Sequence, residues 1–130
     1  EKYDLKIVTK NKPSDKELED LKFAWKLCSF IKSNAIILAK NKTLLGMGAG
    51  QPNRVMSVKI AGEVAGEKSI GCVMASDAFF PFPDSIIKAN DLGVKSIIQP
   101  GGSINDSDVI EEANNRGMSM IFTNQRRFTH

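Results

Sequence analysis

Apolar positions along the chain follow two periods, one helical and one extended. Leu18, Leu21, Trp25, Cys28, Phe30 and Ile31 recur at helical spacing, Ser14 with Glu17 forms a capping box ahead of them, and Pro13 stands just outside. This spacing predicts a helix over 15–33, with Trp25 and Phe30 on its core stripe. A short apolar run over 35–39 then reads as a buried strand. The turn residues Asn41 and Lys42 and a second apolar run over 43–47 follow at hairpin distance, so the two strands should be antiparallel neighbours. Glycines at 48 and 50 end that strand. Pro52 suits a first helical position, and a helix is expected over 53–65.

The remaining pattern repeats strand, loop and helix. Strands are expected over 71–76, 95–99 and 118–123, and helices over 84–91 and 106–116, with Gly93 and Gly117 as helix stops. Strands that alternate with helices indicate an α/β domain, and the hairpin makes its sheet mixed. The opening residues, 3–8, read as the tail of a strand. With Glu rather than Met at position one, the sequence reads as a piece of a longer chain. No internal repeat, linker or signal-peptide pattern interrupts it.

Composition adds limits. The 130 residues are 42% hydrophobic and 25% charged, ordinary for one globular domain. The longest apolar run is far below the roughly 20 residues that span a bilayer, so no membrane partner is expected. The formal charge of +3 is spread among acids, apart from Arg126 and Arg127. There is no basic stripe with aromatic platforms, so no nucleic-acid partner is expected. Cys28 and Cys72 are far apart and form no C-x-x-C pair. Reduced core thiols in a cytoplasmic protein are the simplest reading, with a long-range disulfide as the alternative. His130 is the only histidine, so a zinc site is not expected.

Four segments could carry chemistry. The 48–54 loop joins glycines to a helix N-terminus and Arg54, which suits a phosphate or carboxylate; the plainer reading is a glycine-softened turn with a surface arginine. The 76–84 loop puts three phenylalanines in four positions, either packed into a core or interface or forming a wall for a flat ligand. Asp77 and Asp84 bracket it, and either could bind an amine or ring N–H, or Asp84 could cap the next helix. The 100–103 loop is a backbone nest able to take a carbonyl or carboxylate, or a flexible turn. The tail carries paired arginines and an aromatic, able to grip a phosphate or simply solvated. No Ser-His-Asp set can be assembled, and neither H-x-E nor P-C-x-x-C of the zinc deaminases is present.

The segments are more specific as an ordered set. Lys32-Ser33-Asn34-Ala35, Gly48-Ala49-Gly50-Gln51 with Arg54, Ala75-Ser76-Asp77-Ala78-Phe79-Phe80-Pro81-Phe82, Pro100-Gly101-Gly102-Ser103 and the ending Arg126-x-Phe128-x-His130 follow in this order. The set resembles the C-terminal end of AICAR transformylase, the larger half of the bifunctional AICAR transformylase/IMP cyclohydrolase family, over essentially the whole chain. The resemblance implies an α/β, cytidine-deaminase-like three-layer subdomain with a mixed sheet and no zinc, residues 1–130 being the C-terminal subdomain of the transformylase domain.

The same resemblance implies a reaction, formyl transfer from 10-formyltetrahydrofolate to the exocyclic amine of AICAR in purine (IMP) biosynthesis. Asn34, Arg54, Phe79 and Arg126 would contact AICAR, with Phe79 facing the base. Val55, Asp84, Ser103 and Ile104 would line the folate side, Asp84 as a hydrogen-bond partner of the pterin. Phe128 and His130 would support the site from behind, and Asp77 matches an aspartate beside which some members hold potassium. The family's catalytic Lys-His pair is expected upstream, in the rest of the same chain; no Lys-His dipeptide occurs here. The resemblance also implies a homodimer with sites at the subunit interface. A stand-alone nucleotide-binding or dimerisation module without catalysis is the alternative, and either folate or formate could be the formyl donor.

Overall fold

The computed structural model describes residues 4–124. In chain order its elements are β1 (Lys6–Ile7), α1 (Asp15–Cys28), β2 (Ile36–Lys40), β3 (Thr43–Gly48), α2 (Arg54–Ala65), a 3-10 turn (Gly66–Ser69), β4 (Val73–Ser76), α3 (Asp84–Asp91), β5 (Ser96–Gln99), α4 (Asp106–Asn115) and β6 (Ser119–Phe122). The strands form one sheet in the order β1-β6-β5-β4-β2-β3. β4, β5 and β6 run parallel, while β2 and β3 on one side and β1 on the other are antiparallel to their neighbours.

The period-2 pleat sends alternate side chains to opposite faces, and both faces are covered. On one face Ile37, Ala39, Val73, Ala75, Ile98 and Ile121 meet Leu21, Ala24, Trp25 and Cys28 of α1. On the other, Ile36, Leu38, Met74, Ile97, Met120 and Phe122 meet α2, α3 and α4 through Val58, Ala61, Ile86, Ala89, Val109 and Ala113. The result is three layers. β4, β5 and β6 are buried at every position, which is why they show no alternation of apolar and polar residues.

The first helix is shorter than its apolar spacing suggests. The capping box is present, Ser14 and Glu17 satisfying each other's amides, but α1 stops at Cys28. The amides of Ser29, Phe30 and Ile31 bond three residues back, tightening the last turn. That rotation carries Phe30 off the stripe to 79% exposure, while Ile31 stays packed on the core. α2 starts one residue later than expected, because Asn53 caps it by accepting from the Met56 amide at 3.0 Å. Pro52 therefore precedes the cap. Pro83 holds the cap position of α3, so Asp84 is its first-turn residue and accepts from the Ser85 amide.

Two contacts set the hairpin. Asn41 and Lys42 both take positive φ, 55° and 54°, the two-residue turn whose twist suits a hairpin. Both of their amides donate to the carboxylate of Asp20, at 3.0 and 2.8 Å, from the buried side of α1. The second contact is β3 against α2. A Cβ on Gly46 would collide with the Ala61 carbonyl, and one on Gly48 with the Ser57 carbonyl. Helix backbone thus lies directly on strand backbone, and only glycine fits between them.

Cys28 and Cys72 are free and buried in opposite layers. Burial pushes the Cys72 thiol up to about 12. It raises Cys28 further, the nearby Asp77 carboxylate adding to burial and Arg54 partly offsetting it.

Two outcomes are expected. Gly48→Ala should cost about 1–3 kcal/mol through overpacking against immobile backbone, read as a lower urea midpoint at unchanged slope; an unchanged midpoint would remove the close approach. Both thiols should resist iodoacetamide at pH 8 until the chain unfolds. Burial holds both thiols above their ordinary value of 9.0, so their contribution leaves stability flat below pH 9 and lowers it from there towards pH 12, as the unfolded chain ionises first.

Candidate functional site

The three parallel strands end at one edge of the sheet, where ligands of open α/β sheets gather. β2 begins and β3 ends at that same edge, since Ile36 pairs with both Ser76 and Gly48. The topology therefore brings together Asn34, the 48–54 loop, Ser76 to Phe79, the 99–103 loop and Asn124.

Arg54 occupies the centre. It lies in the first turn of α2 and is only 7% exposed. Its guanidinium makes a buried ion pair with Asp77, donates to the Asn34 side-chain oxygen, and donates to Ser76 Oγ at 3.2 Å. Asn34 in turn donates to the Gln51 carbonyl at 2.8 Å, and its own carbonyl accepts from Ser57 Oγ at 2.8 Å. Ser76 Oγ donates onward to the Ala78 carbonyl at 2.6 Å. The plain reading of Arg54 as a surface arginine is thus corrected. Its charge is balanced by Asp77, and what it offers beyond that pair is directed N–H groups.

Asp77 is fully buried. One oxygen meets Arg54, and the other, Oδ2, has no hydrogen-bond partner among the described residues. This orphaned oxygen is an acceptor that could join carbonyl oxygens around a potassium ion, such ions being held mainly by carbonyls. Among the described residues no group of three or more His, Cys, Asp or Glu side chains comes together.

The phenylalanine loop divides its work. Phe80 is completely buried in the α2–α3–α4 layer, Phe82 is 58% exposed, and Phe79 is half-buried. A continuous aromatic wall is therefore not formed. Phe79 lines a cleft of about 320 Å³ with Pro100, Gly101, Gly102 and Asn124. Gly101 and Gly102 both take positive φ, and Phe79 lies 4.0 Å from where a Gly102 Cβ would stand.

The 100–103 loop is a nest already filled by its own chain. The Gly102 and Ser103 amides donate to the Asp106 carboxylate at 2.8 and 3.1 Å. This overturns the expectation that those amides stand free for a ligand's carboxylate. Gln99 fixes the loop from below, accepting from the Gly101 amide and donating to Met120 Sδ.

The expected folate-side residues are spread around this edge. Val55 and Ser103 are half-buried, Asp84 is exposed, and Ile104 is 99% exposed. Asn105 ties their two loops by donating to the Pro81 carbonyl at 2.8 Å. Arg126, Phe128 and His130 lie outside the described residues. Ser57, Ser76, Gln99 and Asp106 escaped the sequence reading; the only signals were that Ser57 stands one helical turn from Arg54 and Ser76 precedes Asp77.

The family model of the AICARFT/IMPCHase bienzyme matches residues 1–64. Over 124 residues the chain is 54% identical to the bifunctional purine biosynthesis protein PurH of Desulfitobacterium hafniense, covering 95% of this chain and 24% of that protein. It is 56% identical over 127 residues to PurH of Trichodesmium erythraeum, covering 98% and 25%. It is 52% identical over 125 residues to the Dictyostelium discoideum protein, covering 96% and 23%. The chain thus spans about a quarter of the length of these curated relatives. Two forms of Acinetobacter baumannii RibD superpose with TM-scores of 0.55 and 0.57 at 17% and 18% identity, covering 82% and 81% of this chain and 34% of theirs. That likeness is one of fold, and the fold is the cytidine-deaminase-like α/β sandwich expected from the sequence. At more than half identity across nearly all of its length, the chain is similar to a segment of the bifunctional purine biosynthesis proteins of the AICARFT/IMPCHase bienzyme family.

Proposed function

We propose that the chain is the C-terminal subdomain of the transformylase half of such a bienzyme, and that it carries part of the pocket in which AICAR accepts a formyl group from 10-formyltetrahydrofolate. The observation that carries this reading is the convergence of Asn34, Arg54 and Phe79 on one sheet edge, within a sequence 54% identical to PurH over 95% of its length.

Phe79 offers a ring face to the aminoimidazole from inside the cleft, and base–aromatic stacking of this kind favours a flat heterocycle. Arg54, already paired with Asp77, serves as a donor of directed hydrogen bonds to neutral oxygens such as a carboxamide. Arg126 is assigned to the phosphate. Val55, Asp84, Ser103 and Ile104 form the folate side, with the Asp84 carboxylate exposed to accept from the pterin. Asp77 Oδ2 would be one ligand of a potassium ion that lends fixed positive charge beneath the site. The catalytic Lys-His pair is assigned to the rest of the same polypeptide, and the working enzyme to a cytoplasmic homodimer. The identity to PurH also favours this reading over a stand-alone binding module.

Two measurements test it. In the intact enzyme, Phe79→Ala should weaken AICAR binding by about 1–3 kcal/mol, roughly 5- to 150-fold, in a calorimetric titration. Unchanged affinity would take Phe79 out of the site. The 130-residue segment alone should show no formyl transfer to AICAR above background, while the intact enzyme turns over; turnover by the segment would overturn the assignment of catalysis to another part of the chain.

A further inference from the structure

The side of the domain formed by β3 and the outer flank of α2 is built unlike the rest of the surface. β3 is the end strand of the sheet and pairs only with β2. It is six residues long and contains no charge and no proline. Leu44 and Met47 stand 43% and 38% exposed along it. Soluble proteins guard such edges with short strands, lysines, prolines or bulges. The opposite edge follows that rule: β1 has two residues, one of them the exposed Lys6. The bulge of the hairpin adds one residue, Leu45, to β3 opposite the Leu38–Ala39 step; beyond it the outer strand keeps regular register from Gly46 to Gly48.

α2 flanks the same strand on the opposite face of the sheet from Leu44 and Met47, which pair with Ala39 and Ile37 of the α1 face. Ser57 and Ala61 lie on β3, and Gly62 packs against Leu92 on the other side. By the 3.6-residue period, Met56, Ile60 and Val64 then project on the flank that overhangs the β3 edge. Met56 is 41% exposed, Val64 64%, and Ile60 is half-exposed. The inner positions Val58, Ala61 and Ala65 are equally apolar and buried. A helix that is apolar on both flanks is a helix meant to be covered on both.

We propose that this surface, the free edge of β3 with the Met56–Ile60–Val64 flank of α2, is a docking face covered in the native protein by residues of the same polypeptide lying outside residues 1–130. Three facts select that occupant. The strand edge calls for a backbone partner and the flank for an apolar one, and one extended segment of chain supplies both, its backbone on β3 and its side chains on either face. The curated relatives match this chain almost end to end yet are about four times longer, so chain is available to do the covering. The face also lies at the β3 end of the sheet, away from the cleft lined by Phe79, Pro100 and Gly102, so covering it leaves that cleft open. The proposal rests on the reading of this chain as part of a bienzyme.

The test is thiol labelling of the intact gene product. Cysteine is placed singly at Val64 and at Met47, with Lys22→Cys on the exposed face of α1 as the accessible control, and maleimide incorporation at each site is followed by peptide mass. At least about tenfold slower labelling at positions 64 and 47 than at 22 is expected, unchanged on dilution to the monomer. Labelling as fast as the control overturns the docking face. Protection that disappears on dilution overturns the occupant in favour of a second copy. An intact mass equal to 130 residues alone overturns the bienzyme reading itself, and the proposal with it.

Discussion

The guanidinium of Arg54 is the tie on which the ligand edge depends. It joins Asn34 in the segment ahead of β2, the first turn of α2, and Ser76 and Asp77 at the end of β4, three segments with no sequence proximity. A buried arginine is tolerated only when its charge and its donors are answered, and Asp77, Ser76 and Asn34 answer them. Removing one partner of such a pair typically costs about 3–5 kcal/mol, because the other is left as an uncompensated buried charge. The loops around the cleft are thus braced from within. The cleft is then lined by backbone and one aromatic face.

That tie needs α2 close to the sheet, and glycine provides the closeness. Gly46 and Gly48 let the helix rest on β3 without a layer of side chains between them, which brings Arg54 down to the level of Asp77. Seen this way, the strand glycines and the Gly48–Gly50 turn form one device. The first two set the height of the helix, and Gly50, at a φ of 69°, turns the chain so that its amide meets the Ser33 carbonyl beside Asn34.

Most of the framework was legible because periodicity and capping report local physics. The capping box at Ser14, the hairpin at Asn41 and Lys42, and the glycine stops at 93 and 117 each depend on residues within a few positions. The errors arose where distant groups decide. Phe30 fits the helical stripe, yet the chain must turn back to enter β2, and the helix tightens and ends first. Asp106 looks like an ordinary first-turn acid, and only the folded loop shows that it occupies the nest over Gly102 and Ser103. Asp20, on a helix face otherwise apolar, carries no sign that its donors lie twenty residues on. Asn34, Arg54, Asp77 and Phe79 were found from the ordered motifs. That three of them form one buried network was not contained in any spacing.

The anchoring of the hairpin has a consequence for how the protein meets proteases. Lys42 lies at an exposed tip, where trypsin ordinarily cuts. Cleavage requires the scissile segment to extend into the protease's groove, and here the amides of both tip residues, Asn41 and Lys42, are bound to a carboxylate set into α1. The tip cannot lift without leaving Asp20 charged and unsatisfied beneath it. A lysine that looks exposed by area is therefore shielded by tethering, and the first tryptic cuts should fall at other lysines.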